Sequence, residues 1–323
     1  MNKLFISFLI FFAEVASSFG AMNQLQVMQA FPPAVIARLF NANSATITST
    51  GLVGANYPTW QSPEEQNGGS NYLLFGVITN NPSMIAEGFT SIDATLGYQL
   101  PNGGIASSSG SAVSTDNSFW MEATAQALLV LRESQWWPQY QARTEAYYPA
   151  FEKVLQYLNA NTASLYSNSA NTPNRLFIAA NSLYLGSKLV GQAIGLDNAS
   201  ILKNDGLQMF DSSKGYFLEL GGYDSSYQCV SLNQLFQYNY YYPGSNKVIS
   251  VLNAGEAWEA TRIEANGIVN ASGNTRTDGQ ETNPDGEVKR IDTRGVVSMF
   301  STFGVVFDDS AATNLSLLIL PHV

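Results

Sequence analysis

Ten stretches of this chain carry apolar residues at helical spacing, and the connections between them alternate in length. The stretches are 70–79, 83–99, 117–134, 143–159, 174–194, 198–211, 225–240, 245–263, 293–306 and 311–319. In the third, Phe119, Ala123, Leu128 and Leu131 keep one face apolar, and Asp116 or Asn117 stands where a cap is needed. Connections after odd helices are short (80–82, 135–142, 195–197, 241–244), and those after even helices are long (100–116, 160–173, 212–224, 264–292). If consecutive helices run antiparallel, alternate loops emerge at the same end, so the long loops share one face. Long connections are where function concentrates. The expected fold is mostly α: an (α/α) toroid or incomplete barrel of about five helix hairpins, built by stacking a repeated helix pair. Strand signals are few. One small β-hairpin is expected near 263–292, with Ile263–Thr277 against Glu287–Asp292. Pro32-Pro33, Gly51, Gly54, Pro58 and Pro63 make 22–69 read as an irregular segment, which leaves 70–323 as the helical domain.

The first 21 residues read as a signal peptide. Lys3 supplies the positive end, Leu4 to Ala13 the short apolar run, and Ala16, Ser17, Ser18, Gly20 and Ala21 the small residues before cleavage, although Glu14 interrupts the pattern. A secreted or periplasmic protein is therefore expected, with no membrane span after cleavage, because later apolar runs are of core length. Charged residues make up only 12% of the chain, and the net charge of −10 argues against nucleic acid and anionic membranes as partners. Polarity comes instead from Asn, Ser, Gly, Tyr and Thr, a composition that suits a protein handling sugars. Cys229 is the only cysteine, so no intrachain disulfide forms. Asn198, Asn270 and Asn314 open N-x-Ser sequons. No cofactor fingerprint is present, and Asp278 to Asp285 lacks the ligand pattern of a calcium loop.

The single histidine, His322, lies one residue from the end, so chemistry in the body of the chain must draw on Asp, Glu, Tyr, Lys or Cys. The stretch from Phe217 to Gln228 gathers Glu219, Tyr223, Asp224, Tyr227 and Gln228 around Gly221-Gly222 at the entrance to a helix. Its simpler reading is a capped helix start with core tyrosines. Five of the fifteen basic residues, Arg262, Arg276, Lys289, Arg290 and Arg294, fall close together, diluted by Asp278, Glu281, Asp285, Glu287 and Asp292. That mixture also describes a solvated hairpin. Trp120, Tyr216, Tyr223 and Tyr227 offer aromatic faces for a sugar ring, with core packing the alternative, above all for Trp120 on its apolar helix.

Two chemistries are open. A glycoside hydrolase needs two carboxyl groups flanking one bond, for which Glu122, Glu219 and Asp224 are candidates. A polysaccharide lyase needs a base for the proton α to a uronate carboxyl and a cation or amide facing that carboxyl. Tyr223 or Tyr227 with Arg276, Gln228 and Lys289 meets those requirements. A non-catalytic glycan-binding envelope protein is the third possibility.

The Pro101-Asn-Gly-Gly loop leading to Phe119-Trp-Met-Glu-Ala, the Gly221-Gly-Tyr-Asp-Ser-Ser-Tyr-Gln segment, and Gly273-Asn-Thr-Arg-Thr resemble features of the secreted (α/α) toroid polysaccharide lyases of alginate- and glucuronan-lyase type. The resemblance covers roughly 70–310 as architecture. It implies tyrosine as catalytic acid/base, hence Tyr223 or Tyr227 with Arg276, and a polysaccharide substrate. Read from the residues themselves, the candidate site also takes in Glu122 as a catalytic carboxyl and Asn117, Trp120, Glu219, Asp224, Gln228, Asn274 and Lys289 as substrate contacts. The histidine usual near the uronate carboxyl in such lyases is missing here.

Overall fold

In the computed structural model, which describes residues 22–40, 47–53, 59–282 and 286–323, the stretch beginning at Asn23 is helical rather than irregular. The stretch read as a signal peptide, 1–21, lies outside the described residues. The Asn23 side chain accepts from the Gln26 N–H, and the Gln26 side chain accepts from the Asn23 N–H, each at 2.9 Å. This reciprocal cap starts α1 (Gln24–Gln29). Pro33 opens α2 (Pro33–Leu39), where its missing N–H would lack a partner in any case. The proline pair thus starts a helix instead of breaking one.

Two compact units follow from the contacts along the chain. The continuous unit is Phe40–Met209; the discontinuous unit joins the chain up to Leu39 with Phe210–Val323. The sequence had suggested one helical domain from residue 70 onward.

The continuous unit contains a 3-10 turn at Glu64–Gln66 and then α3 (Asn67–Ile78), α4 (Pro82–Leu96), α5 (Ser114–Arg132), α6 (Trp137–Ala146), α7 (Tyr148–Ala160), α8 (Thr162–Ser167), α9 (Pro173–Val190) and α10 (Leu196–Gln208). The stretch read as one helix over 143–159 is two, because Pro149 in the first turn of α7 cannot donate to the turn before it. Asn81 caps α4 by accepting from the Ser83 and Met84 N–H groups at 3.1 and 3.4 Å. Helices α5 and α9 pack on each other and are buried nearly all round, which fits the centre of a core. Trp120, Met121, Leu128, Leu131, Phe177 and Leu185 are each at most 1% exposed. Burial of each large side chain contributes about 2 kcal/mol relative to leaving it in water.

The discontinuous unit adds β1 (Phe210–Asp211) and β2 (Tyr216–Phe217), then α11 (Ser225–Tyr241), α12 (Asn246–Ala260), α13 (Thr293–Val306) and α14 (Ser310–Ile319). β1 and β2 pair antiparallel, Phe210 opposite Phe217. Helix α11 packs against α12 and α13, and α1 and α2 pack on α13. The Tyr241 hydroxyl meets Gln24 Oε1 at 3.1 Å, and the guanidinium groups of Arg294 and Arg38 donate to the carbonyls of Leu39 and Val323.

The hairpin expected over 263–292 does not form among the described residues. Two local bridges, Ile263 with Val269 and Thr282 with Val288, replace it, and Asn274 bridges Tyr223 in parallel. The cause is local. Asn266 accepts from the Ile268 N–H at 3.1 Å and Gly267 takes φ +85°, so the strand turns back on itself at once. No described helix is long and apolar enough to cross a membrane.

Candidate functional site

Asp224 organises one end of the discontinuous unit. It caps α11, Oδ1 accepting from the Ser226 and Tyr227 N–H groups at 3.1 and 3.3 Å. Its Oδ2 accepts from the Arg276 N–H at 3.0 Å and from the Thr277 N–H and Oγ1 at 2.9 and 3.1 Å. One carboxylate therefore pins a loop to a helix start. Asn274 reinforces the join, accepting from the Ser225 N–H at 3.3 Å and donating to Thr277 Oγ1 at 2.7 Å.

That join turns Arg276 inward. The residue is 5% exposed, against the expectation of a solvated hairpin for this mixed-charge stretch. Its Nη1 lies 2.8 Å from Glu219 Oε1, and its Nε donates to Glu281 Oε1 and Oε2 at 3.1 and 3.2 Å. Its guanidinium carbon stands 3.9 Å from the centre of the Tyr227 ring. Lys289 joins from the other side, with Nζ 2.6 Å from Glu281 Oε2 and 5.8 Å from the same ring. Burial alone would raise the Glu281 carboxyl, but Lys289 and Arg276 hold it below the ordinary carboxylate range. Two cations, held by the carboxylates of Glu219 and Glu281, thus face one half-buried phenol ring.

Tyr223 lies in a neighbouring aromatic cluster. Its ring centre is 5.4 Å from those of Tyr216 and Trp258, and the Arg262 guanidinium is 4.9 Å from it. Its hydroxyl donates to the Ser272 carbonyl at 2.9 Å. Arg262 donates to the carbonyls of Asn270 and Ser272 at 2.7 and 2.6 Å. Beneath them Glu259 is fully buried in α12. Burial pushes its carboxyl well above the ordinary range, Arg262 opposes, and the Ser225 hydroxyl faces it without closing a hydrogen bond of normal geometry.

The structure thus joins Glu219, Tyr223, Asp224, Tyr227, Gln228, Asn274, Arg276 and Lys289 within one unit. Several of them hold the fold. Gln228 accepts from the Phe217 N–H at 2.9 Å and so ties β2 to α11. Asn117, Trp120 and Glu122 belong to the continuous unit. Asn117 accepts from the Ile105 N–H at 2.7 Å and donates to the Ile105 and Val113 carbonyls at 3.0 and 2.8 Å. Trp120 is 1% exposed and packs edge-on to Phe151, so it offers no face to a sugar. Glu122 is buried on α5.

Sequence reasoning did not single out Glu281 as the bridge between two cations, nor Trp258, Glu259 and Arg262 as the wall behind Tyr223. The clustering of basic and acidic residues between 262 and 294 was the available signal. Among the described residues no group of three His, Cys, Asp or Glu side chains is placed to hold a metal ion. Comparison of the chain with protein-family models, with curated proteins and with solved structures finds no match.

Proposed function

We propose that the protein is a polysaccharide lyase acting on a uronate-containing glycan, with Tyr227 as the group that moves the proton. The observation that carries this reading is the placement of Arg276 and Lys289 on the one Tyr227 ring. In β-elimination a base takes the proton α to the uronate carboxyl, the C–O bond to the leaving sugar breaks, a C=C bond forms, and the departing oxygen takes up a proton. The negative charge that develops on the carboxyl needs a facing cation or donor.

Tyr227 is preferred to Tyr223 on geometry. The Tyr223 hydroxyl is bonded to a main-chain carbonyl, whereas that of Tyr227 makes no hydrogen bond among the described residues. Arg276 is buried and clasped by Glu219 and Glu281, which makes it a positioning residue. Lys289, less buried and on a flexible stem, is the cation offered to a substrate carboxylate. The hydrolase alternative is less well served. Both oxygens of Asp224 are occupied by main-chain donors, and Glu219 is ion-paired. Secretion or export to a periplasm, and the (α/α) toroid, belong to the same proposal.

Purified protein incubated with alginate, glucuronan and pectin is expected to release products absorbing in the ultraviolet through the new C=C bond. Tyr227→Phe is expected to abolish that signal with an unchanged circular dichroism spectrum, while Tyr223→Phe retains it. Reducing ends without ultraviolet absorbance would replace the lyase by a hydrolase, and retardation in a polysaccharide gel without products would leave a binding protein.

A further inference from the structure

In the continuous unit, well separated along the chain from Tyr223, Tyr227, Arg276 and Lys289, the rings of Trp60 and Tyr98 lie face to face. Their centres are 3.9 Å apart and their planes 8° from parallel. Trp60 is 8% exposed and Tyr98 40% exposed. One face of Tyr98 is covered by the indole, so its exposure comes from the opposite face and the edge.

The stack is rigidly held. The Trp60 Nε1 donates to the Ala106 carbonyl at 2.9 Å, and the Ala106 N–H donates back to the Tyr98 carbonyl at 3.0 Å. The loop that carries it is anchored by Asn117 through both main-chain groups of Ile105. Gly103, at φ +92°, lets the same loop approach the Lys153 carbonyl, where a Cβ would stand 2.3 Å away.

Hydroxyls flank the stack. Ser107 and Ser109 are 2.7 Å apart, Ser109 and Ser111 2.9 Å, and the Ser108 N–H donates to the Gln61 carbonyl at 2.6 Å. No charged residue occurs between Gly97 and Thr115. An apolar plate bordered by neutral donors and acceptors matches a pyranose ring, which has an apolar C–H face and a polar equatorial rim.

We propose that Tyr98, backed by Trp60 and bordered by Ser107, Ser109 and Ser111, binds an uncharged hexose unit of a glycan by stacking. The site is independent of the lyase reading: it takes a neutral sugar and requires no turnover. A preformed platform loses little rotamer freedom on binding, because the buried indole already fixes the phenol ring.

Calorimetric titration of the full chain with cellohexaose, maltohexaose and mannohexaose tests this. At least one is expected to bind. Tyr98→Ala is expected to weaken that binding about ten-fold or more, and Tyr98→Phe, which keeps the plate, to stay within about three-fold. Should Tyr98→Ala perturb folding, Ser109→Ala lies outside the stack and is expected to weaken binding several-fold while the thermal midpoint holds. Absence of binding by all three sugars, or unchanged affinity in Tyr98→Ala and Ser109→Ala, would overturn the proposal.

Discussion

Asp224 accepts from Ser226, Tyr227, Arg276 and both donors of Thr277, so its two oxygens join a helix start to a loop some fifty residues away in sequence. In Asp224→Ala those donors lose their acceptor while staying buried. Removal of a cap together with charge-assisted bonds is expected to destabilise by about 2–4 kcal/mol. Urea denaturation reads this directly, and a loss below about 1 kcal/mol would mean that water replaces the carboxylate without penalty. Glu256 acts in the opposite sense. Burial first, and Asp309 second, raise its carboxyl from 4.5 to about 7. A raised folded-state value means that the fold prefers the proton. The contribution is complete below the unfolded value of 4.5 and is lost as pH rises through about 7. The thermal midpoint should therefore fall between about pH 5 and about pH 8, and Glu256→Gln should reduce that fall. An identical pH profile in the variant would remove Glu256 from the account.

The helix pair α3 and α4 shows how close two elements come when glycine lines the crossing. A Cβ on Gly88 would stand 2.6 Å from Leu73 Cβ and 2.7 Å from the Leu73 nitrogen, the second of these a main-chain atom. Gly88→Ala must push the helices apart and is expected to lower stability by about 1–3 kcal/mol, measured by chemical denaturation, with helical content retained. A neutral or stabilising result would mean that the crossing relaxes freely. Elements of this length were legible in the sequence because ten periodic stretches each overlap a helix of the fold. The short ones were not. Helices α1 and α2 have only 6 and 7 residues, less than two full apolar repeats, and the strands β1 and β2 have 2 each, too few for alternation. The candidate site was legible in part. Glu219 to Gln228 and Arg276 stood out by residue type, whereas the bridging role of Glu281 and the wall of Trp258 and Arg262 depend on contacts that no local pattern encodes. Trp120 belonged to the core because α5 is buried on nearly every side, polar residues included, a feature that the single stripe of Phe119, Ala123, Leu128 and Leu131 understated.

At the scale of the molecule, one unit is continuous and the other is assembled from both ends of the chain. Helices α1 and α2 pack on α13, where Arg294 donates to the Leu39 carbonyl, and Gln24 of α1 also meets Tyr241 of α11. A chain beginning at Phe40 should therefore keep the protection of α5 and α9 against hydrogen exchange and lose much of that of α13. Equal protection of α13 in the truncated and full chains would show that α1 and α2 contribute little. The same division sets an order of events during synthesis. Translation releases α1 and α2 before the continuous unit, and the helices on which α1 and α2 rest only after it. On the ribosome the continuous unit can therefore mature while α1 and α2 remain marginal, waiting for α11 and α13 to emerge, since isolated segments so short hold little structure in water.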